Sequence, residues 1–349
     1  MPVPFGKKVD ITRVMARLAE RNRYPIACMI DLTWRCTFRC RHCYQSRKGG
    51  RELAAGRWAK IFDDLASTGV LLLTFSGGEP LLRRDFFEIA REARRRTFSI
   101  KLKTNAWLLD DRAADFLKET GFEQVQISLY ALRPAVHDAV TGVPGSHGRV
   151  MQAVDRLRAR GVDVHLSMPV MSLNVDDIGA MTRLARRLGC DYAVDPSLTV
   201  CDDGSCAPLR LRAEPGRLLK IFRNPQLMSS AAFRKEVKRR LRRADEPVCN
   251  VGKSSFVVDP SGEVRPCAML PLVIGDLTKK SLKRIWDESE TLAMLSRLTW
   301  KDLHGCSECD LRAWCVRCHG SALIEDGDLM GPSRIACDVT RVRRQAALK

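Results

Sequence analysis

The chain has 349 residues, of which 45% are hydrophobic, so it is long enough for one large core or for one large and one small domain. This composition excludes global disorder, and no apolar run reaches the length of a membrane span; we expect a cytoplasmic protein with no membrane partner. A formal net charge of +18 would suit a polyanionic partner but does not by itself identify one.

The strongest basic run is FRKEVKRRLRRADE at residues 233–246, in which five cations repeat at helical spacing. Such a run is either the solvated face of a helix or a surface that recruits an acidic peptide. It has no interleaved aromatic side chains on which bases could stack, so we expect no nucleic-acid partner.

Short β-rich runs alternate with helical patterns through the first 195 residues. The predicted strands are residues 26–33, 70–76, 98–104, 124–130, 162–168 and 190–195. The helical patterns are residues 56–68, 84–96, 111–120, 148–161 and 175–189. Six βα units in series predict an α/β fold with a parallel sheet, most economically a partial (β/α)6 barrel with its site at the carboxyl ends of the strands.

The period breaks after residue 195. We predict an N-terminal extension at 1–25, the barrel at 26–196, a turn-rich linker with a basic helix at 197–248, a small cysteine-rich domain at 249–338 and a tail at 339–349. Residues 251–270 read as a hairpin that turns at Pro260, Ser261 and Gly262. So small a unit would need metal to hold its fold.

The stretch CTFRCRHCY places Cys36, Cys40 and Cys43 in the first loop after a strand, at a spacing of C-x-x-x-C-x-x-C with no fourth cysteine. A 4Fe-4S cluster held by three thiolates leaves one iron free to bind a small molecule. The alternative is a zinc site completed by His42, although adjacent residues rarely both reach one tetrahedral ion.

The second strand ends in SGGEP, with glycines at 77 and 78 followed by Glu79 and Pro80. Glycines let a ligand approach the backbone closely, and the Glu79 carboxylate can accept hydrogen bonds from an ammonium group. Alone, the same residues would form an ordinary strand-to-helix turn.

These two motifs together resemble the radical S-adenosylmethionine enzymes, whose signature is the three-cysteine loop followed by an aromatic residue, here Tyr44, and then Gly-Gly-Glu-Pro. The resemblance covers residues 26–195. It implies that S-adenosylmethionine (SAM) chelates the unique iron and is cleaved reductively to a 5'-deoxyadenosyl radical that abstracts hydrogen from the substrate.

The resemblance also implies a set of cofactor contacts. Residues 77–80 would hold the methionyl amino end of SAM, while Asn105, after the third strand, and Ser128, on the fourth, look like further contacts. By position alone, Asn105 is equally a turn residue and Ser128 equally a buried strand hydroxyl.

The C-terminal cysteines resemble the SPASM extension, which binds two auxiliary 4Fe-4S clusters. By this resemblance Cys306, Cys309, Cys315 and Cys337 hold one cluster, and Cys249, Cys267 and Cys318 hold the other, for three clusters in all. Cys315 and Cys318 are separated by two residues rather than the expected three. The second set lacks a fourth thiolate, for which Cys201 or Cys206 is a candidate; a pair of zinc ribbons is the alternative for the region.

The resemblance predicts an enzyme that modifies a ribosomally synthesised peptide by a cross-link or another oxidative carbon-centred change. Its expected partners are the precursor peptide, a separate small peptide-recognition protein and a reductant such as flavodoxin or ferredoxin. One alternative is a sulfatase-maturing enzyme that forms formylglycine. Another is a non-catalytic iron-sulfur electron-transfer or RNA-associated protein.

Overall fold

The computed structural model of the protein describes residues 11–46, 49–224 and 245–347, with the side chains of residues 11–13 left aside. Most of the basic run at 233–246 lies outside the described residues, and so does the helix predicted there. Within the described residues, no helix is both long and apolar enough to cross a lipid bilayer.

The described strands form one mixed sheet. Their bounds are β1 Ala27–Asp31, β2 Leu72–Ser76, β3 Ser99–Thr104, β4 Gln124–Ser128, β5 Val164–Pro169, β6 Asp191–Asp195, β7 Ser255–Val258, β8 Glu263–Arg265 and β9 Gly275–Asp276. Their order in the sheet is β6-β5-β4-β3-β2-β1-β7-β8-β9. The first six are parallel neighbours in chain order, as the βα alternation predicts.

Helices connect these strands and cover one face of the sheet. In the first half they are α1 Ile11–Asn22, α2 Ala55–Ser67, α3 Phe86–Arg95, α4 Asp111–Thr120, α5 Pro134–Thr141, α6 Ser146–Ala159 and α7 Ile178–Arg187. In the second half they are α8 Pro215–Arg223, α9 Leu282–Glu288, α10 Glu290–Arg297, α11 His319–Asp326 and α12 Arg334–Ala347. Short 3-10 turns lie at Pro80–Leu82, Ala207–Leu211, Trp300–Asp302 and Arg312–Trp314.

Side chains of β2, β3 and β4 alternate between two environments. Phe75, Ile100 and Ile127, which face the helices, are fully buried in a core that also contains the stacked rings of Trp58 and Phe62 from α2. The opposite, inner face carries partly exposed and mostly polar side chains. Since strand side chains alternate with period two, the sequence places one apolar and one mostly polar face on each of these three strands.

The β7–β8 hairpin was predicted within the cysteine-rich domain, and the structure shows that it extends the barrel sheet. β7 pairs in parallel with β1, from Ala27 with Ser255 to Ile30 with Val258. β8 and β9 then continue the sheet as antiparallel strands. The C-terminal region is therefore joined to the first strand through backbone hydrogen bonds.

The α/β class and the parallel arrangement of the six strands are confirmed. The observed strands are shorter than predicted. For β1 and β4 the reason is that the residues that follow the strand form loops instead of continuing the strand pairing. Helix α5 was not among the predicted helices; proline at its first position and the short apolar spacing give a weak helical pattern.

Candidate functional site

A cavity of about 390 Å³ opens at the carboxyl ends of β1 to β4. One wall is the three-cysteine loop and another is the inner face of the strands. Ala268 and Met269, from the segment after β8, also line it. The cavity thus brings together residues from both halves of the chain, at the strand ends where the alternating pattern predicts a site.

The three predicted cluster cysteines, Cys36, Cys40 and Cys43, all line this cavity. Helix α5 holds their loop in place: Arg39 N donates to Thr141 O, and Arg41 N donates to Val140 O, each at 2.9 Å. An element missing from the sequence prediction therefore positions the most recognisable motif of the chain.

Hydrogen-bond donors surround the thiol sulfurs. Phe38 N donates to Cys36 Sγ at 3.4 Å, and Asn105 Nδ2 reaches the same sulfur at 3.5 Å. The Tyr130 hydroxyl lies 3.7 Å from Cys40 Sγ. Burial raises the pKa of the Cys36 thiol, while the contacts from Phe38 and Asn105 oppose that rise. Donors of this kind stabilise a thiolate, which is the form that binds iron.

The Gly-Gly turn packs against the chain that leads into the cysteine loop. Gly78 N donates to Thr33 O and Glu79 N donates to Arg35 O, each at 2.8 Å. A Cβ on Gly78 would lie 2.1 Å from Arg35 O, and Gly77 has φ +120°. The two glycines line the cavity, but the steric need for glycine comes from this backbone packing as much as from a ligand.

Gly78→Ala is expected to unfold the turn locally and destabilise the protein by about 3 kcal/mol, because the new methyl group meets a rigid backbone carbonyl. The matched control is Gly56→Ala in α2, where a Cβ has no neighbour within 4 Å. That change should be neutral or stabilise by about 0.5 kcal/mol. Urea midpoints of both variants test this, and equal midpoints would contradict it.

Glu79 is fully buried, and its carboxylate is used within the protein. Oε1 accepts hydrogen bonds from Leu81 N at 3.0 Å and from Thr104 Oγ1 at 2.7 Å, and Oε2 accepts one from Asn105 N at 2.7 Å. Burial raises the pKa of this carboxyl to about 7 against those three bonds. Glu79 and Pro80 are not among the residues lining the cavity. The carboxylate ties the turn to the end of β3.

Three other predicted cofactor contacts, Tyr44, Asn105 and Ser128, line the cavity. Asn105 is mostly buried, and its side-chain amide donates to Thr37 Oγ1 at 2.9 Å. Burial raises the pKa of the Tyr44 hydroxyl. All three remain predictions as SAM ligands.

His42 is half-buried beside Tyr130, with ring centroids 4.6 Å apart. Burial lowers its pKa to about 4, so the imidazole is neutral at physiological pH. Among the described residues, no three His, Cys, Asp or Glu side chains are close enough together to hold a single metal ion.

The partition of the seven C-terminal cysteines between two clusters remains a prediction, and electrostatic interactions link thiols within each predicted set. Burial raises the pKa of Cys267 to about 11, and nearby charge on Cys318 and Cys249 acts in the same direction. Burial likewise raises the pKa of Cys315, where the neighbouring charges are on Cys337, Cys306 and Cys309.

The two linker cysteines both donate to backbone carbonyls. The Cys201 thiol donates to Cys43 O at 3.4 Å, beside the first cysteine loop. Cys206 is exposed, and its thiol donates to Gly204 O at 3.5 Å.

The donor set fits iron-sulfur clusters and SAM. Three thiols on one cavity wall suit a cluster with one open iron, and a cavity of about 390 Å³ is of the size that binds a nucleoside-containing ligand. Backbone groups of the Gly-Gly turn and the side chains of Asn105 and Ser128 offer polar contacts around it.

Sequence reasoning missed the charged groups on the inner strand face. Asp31, Lys103 and Arg265 lie close together there, with Arg265 Nη2 3.5 Å from Asp31 Oδ2. Burial raises the pKa of Asp31 to about 6, although the positive charges of Arg265 and Lys103 oppose this. Charged residues at inward-facing positions of the predicted strands could have indicated this cluster.

Comparison with known families gives two matches in this chain. Residues 30–185 match the family model of the Radical SAM superfamily. Residues 249–310 match that of the SPASM iron-sulfur cluster-binding domain. Cys315, Cys318 and Cys337 lie beyond the second match.

Similar proteins span most of the chain. The AdoMet-dependent heme synthase of Methanosarcina barkeri is 26% identical, over 86% of this chain and 93% of its own. The PqqA peptide cyclase of Ruegeria pomeroyi is 29% identical, over 76% of this chain and 74% of its own. The solved structure of Streptococcus suis SuiB bound to precursor peptide SuiA has a TM-score of 0.72 at 14% identity, covering 96% of this chain and 83% of that one.

Proposed function

Because the chain is an enzyme of the Radical SAM superfamily with a SPASM iron-sulfur domain, we propose that it modifies a ribosomally synthesised peptide by an oxidative, carbon-centred change such as a cross-link. The PqqA peptide cyclase relative supports a peptide substrate. The non-catalytic alternative is set aside, since both matched domains belong to enzymes of this chemistry.

The open side of the sheet supports the choice of a peptide. The cavity would have to hold the first cluster, SAM and the reacting part of the substrate, so the rest of an extended substrate would lie outside it. The sheet ends at β6, whose inward-facing residues Asp191, Ala193 and Asp195 are exposed. An extended peptide can enter along this open side.

When bound, the first cluster and SAM would supply a 5'-deoxyadenosyl radical that abstracts hydrogen from the substrate. The role of the protein is to position the cofactor and the substrate and to shield the reacting atoms from water. The Gly-Gly turn and Asn105 would face the bound cofactor, Ser128 lies on the neighbouring strand, and Ala268 and Met269 add apolar groups to the lining of the cavity. A lining of this kind limits the access of water to the reacting atoms.

The function is tested by mass spectrometry of candidate substrates. Holoenzyme, SAM and a reductant such as flavodoxin are incubated with short peptides encoded next to the gene, with and without a neighbouring small recognition protein. Loss of two hydrogens from a peptide without formation of an aldehyde supports the proposal. Conversion of a Cys or Ser to an aldehyde would instead support formylglycine formation, and turnover of an iron porphyrin alone would overturn the peptide assignment.

We further propose three 4Fe-4S clusters, hence about 12 irons per chain, with the auxiliary cluster of Cys249, Cys267 and Cys318 open at one iron. Cys318→Ala should lose about four irons and the product while SAM cleavage continues. The matched control Cys206→Ala should keep its iron and product. Comparable losses from both variants would show that the linker thiol is the missing ligand.

A further inference from the structure

We propose that Lys103 is a substrate-positioning residue whose ammonium group binds a carboxylate of the peptide substrate inside the barrel. The substrate class this implies is a peptide with an acidic side chain near the modified residue. The assignment of a peptide rests on the proposed function; the carboxylate preference does not.

Lys103 belongs to a row of polar residues that crosses the inner face of the sheet. The register aligns Ser76 of β2 with Lys103 of β3, which pairs with Gln126 of β4, which in turn pairs with His165 of β5. We call these four residues the polar row. Ser76, Lys103 and Gln126 line the same cavity as the cysteine loop. A group bound by the polar row therefore lies beside the reacting centre.

The ammonium group is available to a ligand. Its hydrogen-bond partner is the Met29 thioether, with Lys103 Nζ 3.6 Å from Met29 Sδ, and sulfur is a weak acceptor. Among the described residues, no carboxylate lies within ion-pairing distance of it. Asp31, which faces the same side of the sheet, pairs with Arg265 at 3.5 Å and accepts from Ser76. Its charge acts on Lys103 from beyond ion-pairing distance. A mostly buried cation without a strong acceptor is costly unless a ligand supplies one.

The neighbouring groups favour a carboxylate over other anions. The Gln126 amide adds a donor at the level of Lys103, and an ammonium beside an amide suits a small planar anion with two acceptor oxygens. The Ser76 hydroxyl instead donates to Asp31. The only other polar-row member, His165, has its pKa lowered by burial and is neutral at physiological pH. Among the described residues that line the cavity, Lys103 is the only lysine or arginine, so a doubly charged phosphate would meet one cation there.

Lys101 provides a matched control on the same strand. It faces the same side two residues earlier, is more exposed, and pairs with Glu123 at 3.4 Å. Lys101→Met removes this charge and tests whether a general loss of positive charge on this face is enough to weaken binding. Lys103→Met removes the ammonium while keeping the length of the side chain, and Lys103→Arg keeps the charge.

The probes are acetyl-Ala-Glu-Ala-amide, its Gln counterpart and free glutarate, titrated by ligand-observed NMR into holoenzyme with SAM. Wild type and Lys101→Met should bind the Glu peptide about tenfold more tightly than the Gln peptide, the worth of one charge-assisted contact. The preference should vanish in Lys103→Met and persist in Lys103→Arg, while the affinity for SAM stays unchanged.

Several outcomes would overturn the proposal. These are equal binding of the two peptides to wild type, a Glu preference that survives in Lys103→Met, and a weakening of SAM binding by the same factor, which would assign Lys103 to the cofactor. Tighter binding of glutarate than of the Glu peptide would overturn the peptide class and leave a small acid as the ligand. Failure to modify any precursor peptide leaves the measured Glu preference intact, so the two proposals fail separately.

Discussion

Replacing Cys36, Cys40 and Cys43 together with Ala is expected to abolish reductive cleavage of SAM and to lower the iron content from about 12 to about 8 per chain. The three thiols share one cavity wall, and no other cysteine among the described residues lines that cavity. The measurements are 5'-deoxyadenosine release under strong reductant and iron per chain.

Cys28→Ala is the matched control for this triple variant. Cys28 is buried in β1 just before the loop and points into the apolar core. Its loss should cost about 1 kcal/mol of stability and leave both iron and cleavage unchanged. Residual cleavage in the triple variant would refute the assignment of the loop.

Glu79→Ala is expected to destabilise the protein by about 5 kcal/mol, because three buried donors lose their shared acceptor. Glu79→Gln keeps an acceptor for two of them and should lose about 2 kcal/mol. Urea unfolding with unchanged m-values gives both numbers. A Glu79→Ala variant with wild-type stability would show that the carboxylate does not tie the turn to β3.

The pH dependence gives Glu79 a second signature. Its pKa rises from 4.5 to about 7 on folding, so between these values the folded state holds more protons than the unfolded state. Stability from this group is therefore greatest at low pH and falls by about 3 kcal/mol as the pH rises through that window. The stability gap between wild type and Glu79→Gln should narrow in the same direction, which unfolding at several pH values between about 5 and 8 measures.

The sequence alone was sufficient to predict the six parallel strands and to place Cys36, Cys40 and Cys43 in one loop. Period-two burial and βα spacing are local signals, and three cysteines in one loop stay close whatever the rest of the fold does. For the same reason the Gly-Gly turn could be placed at the end of β2.

Contacts between segments that are far apart in the sequence could not be predicted from such local signals. The role of Glu79 depends on donors from the end of β3, some 25 positions away, and the support of the cysteine loop by α5 depends on hydrogen bonds across about 100 positions. The sequence indicates only that Lys103 belongs to a strand, because the polar row appears once the register of four strands is known.

The parallel pairing of β1 with β7 sets an order of events during synthesis. Residue 27 pairs with residue 255, so β1 has one open edge until most of the chain has left the ribosome. An open strand edge can pair with a wrong strand, and the thiols of the adjacent cysteine loop can be oxidised before a metal cluster binds. A chain cut before residue 255 keeps that edge permanently, and the N-terminal βα units are therefore not a self-sufficient unit for expression.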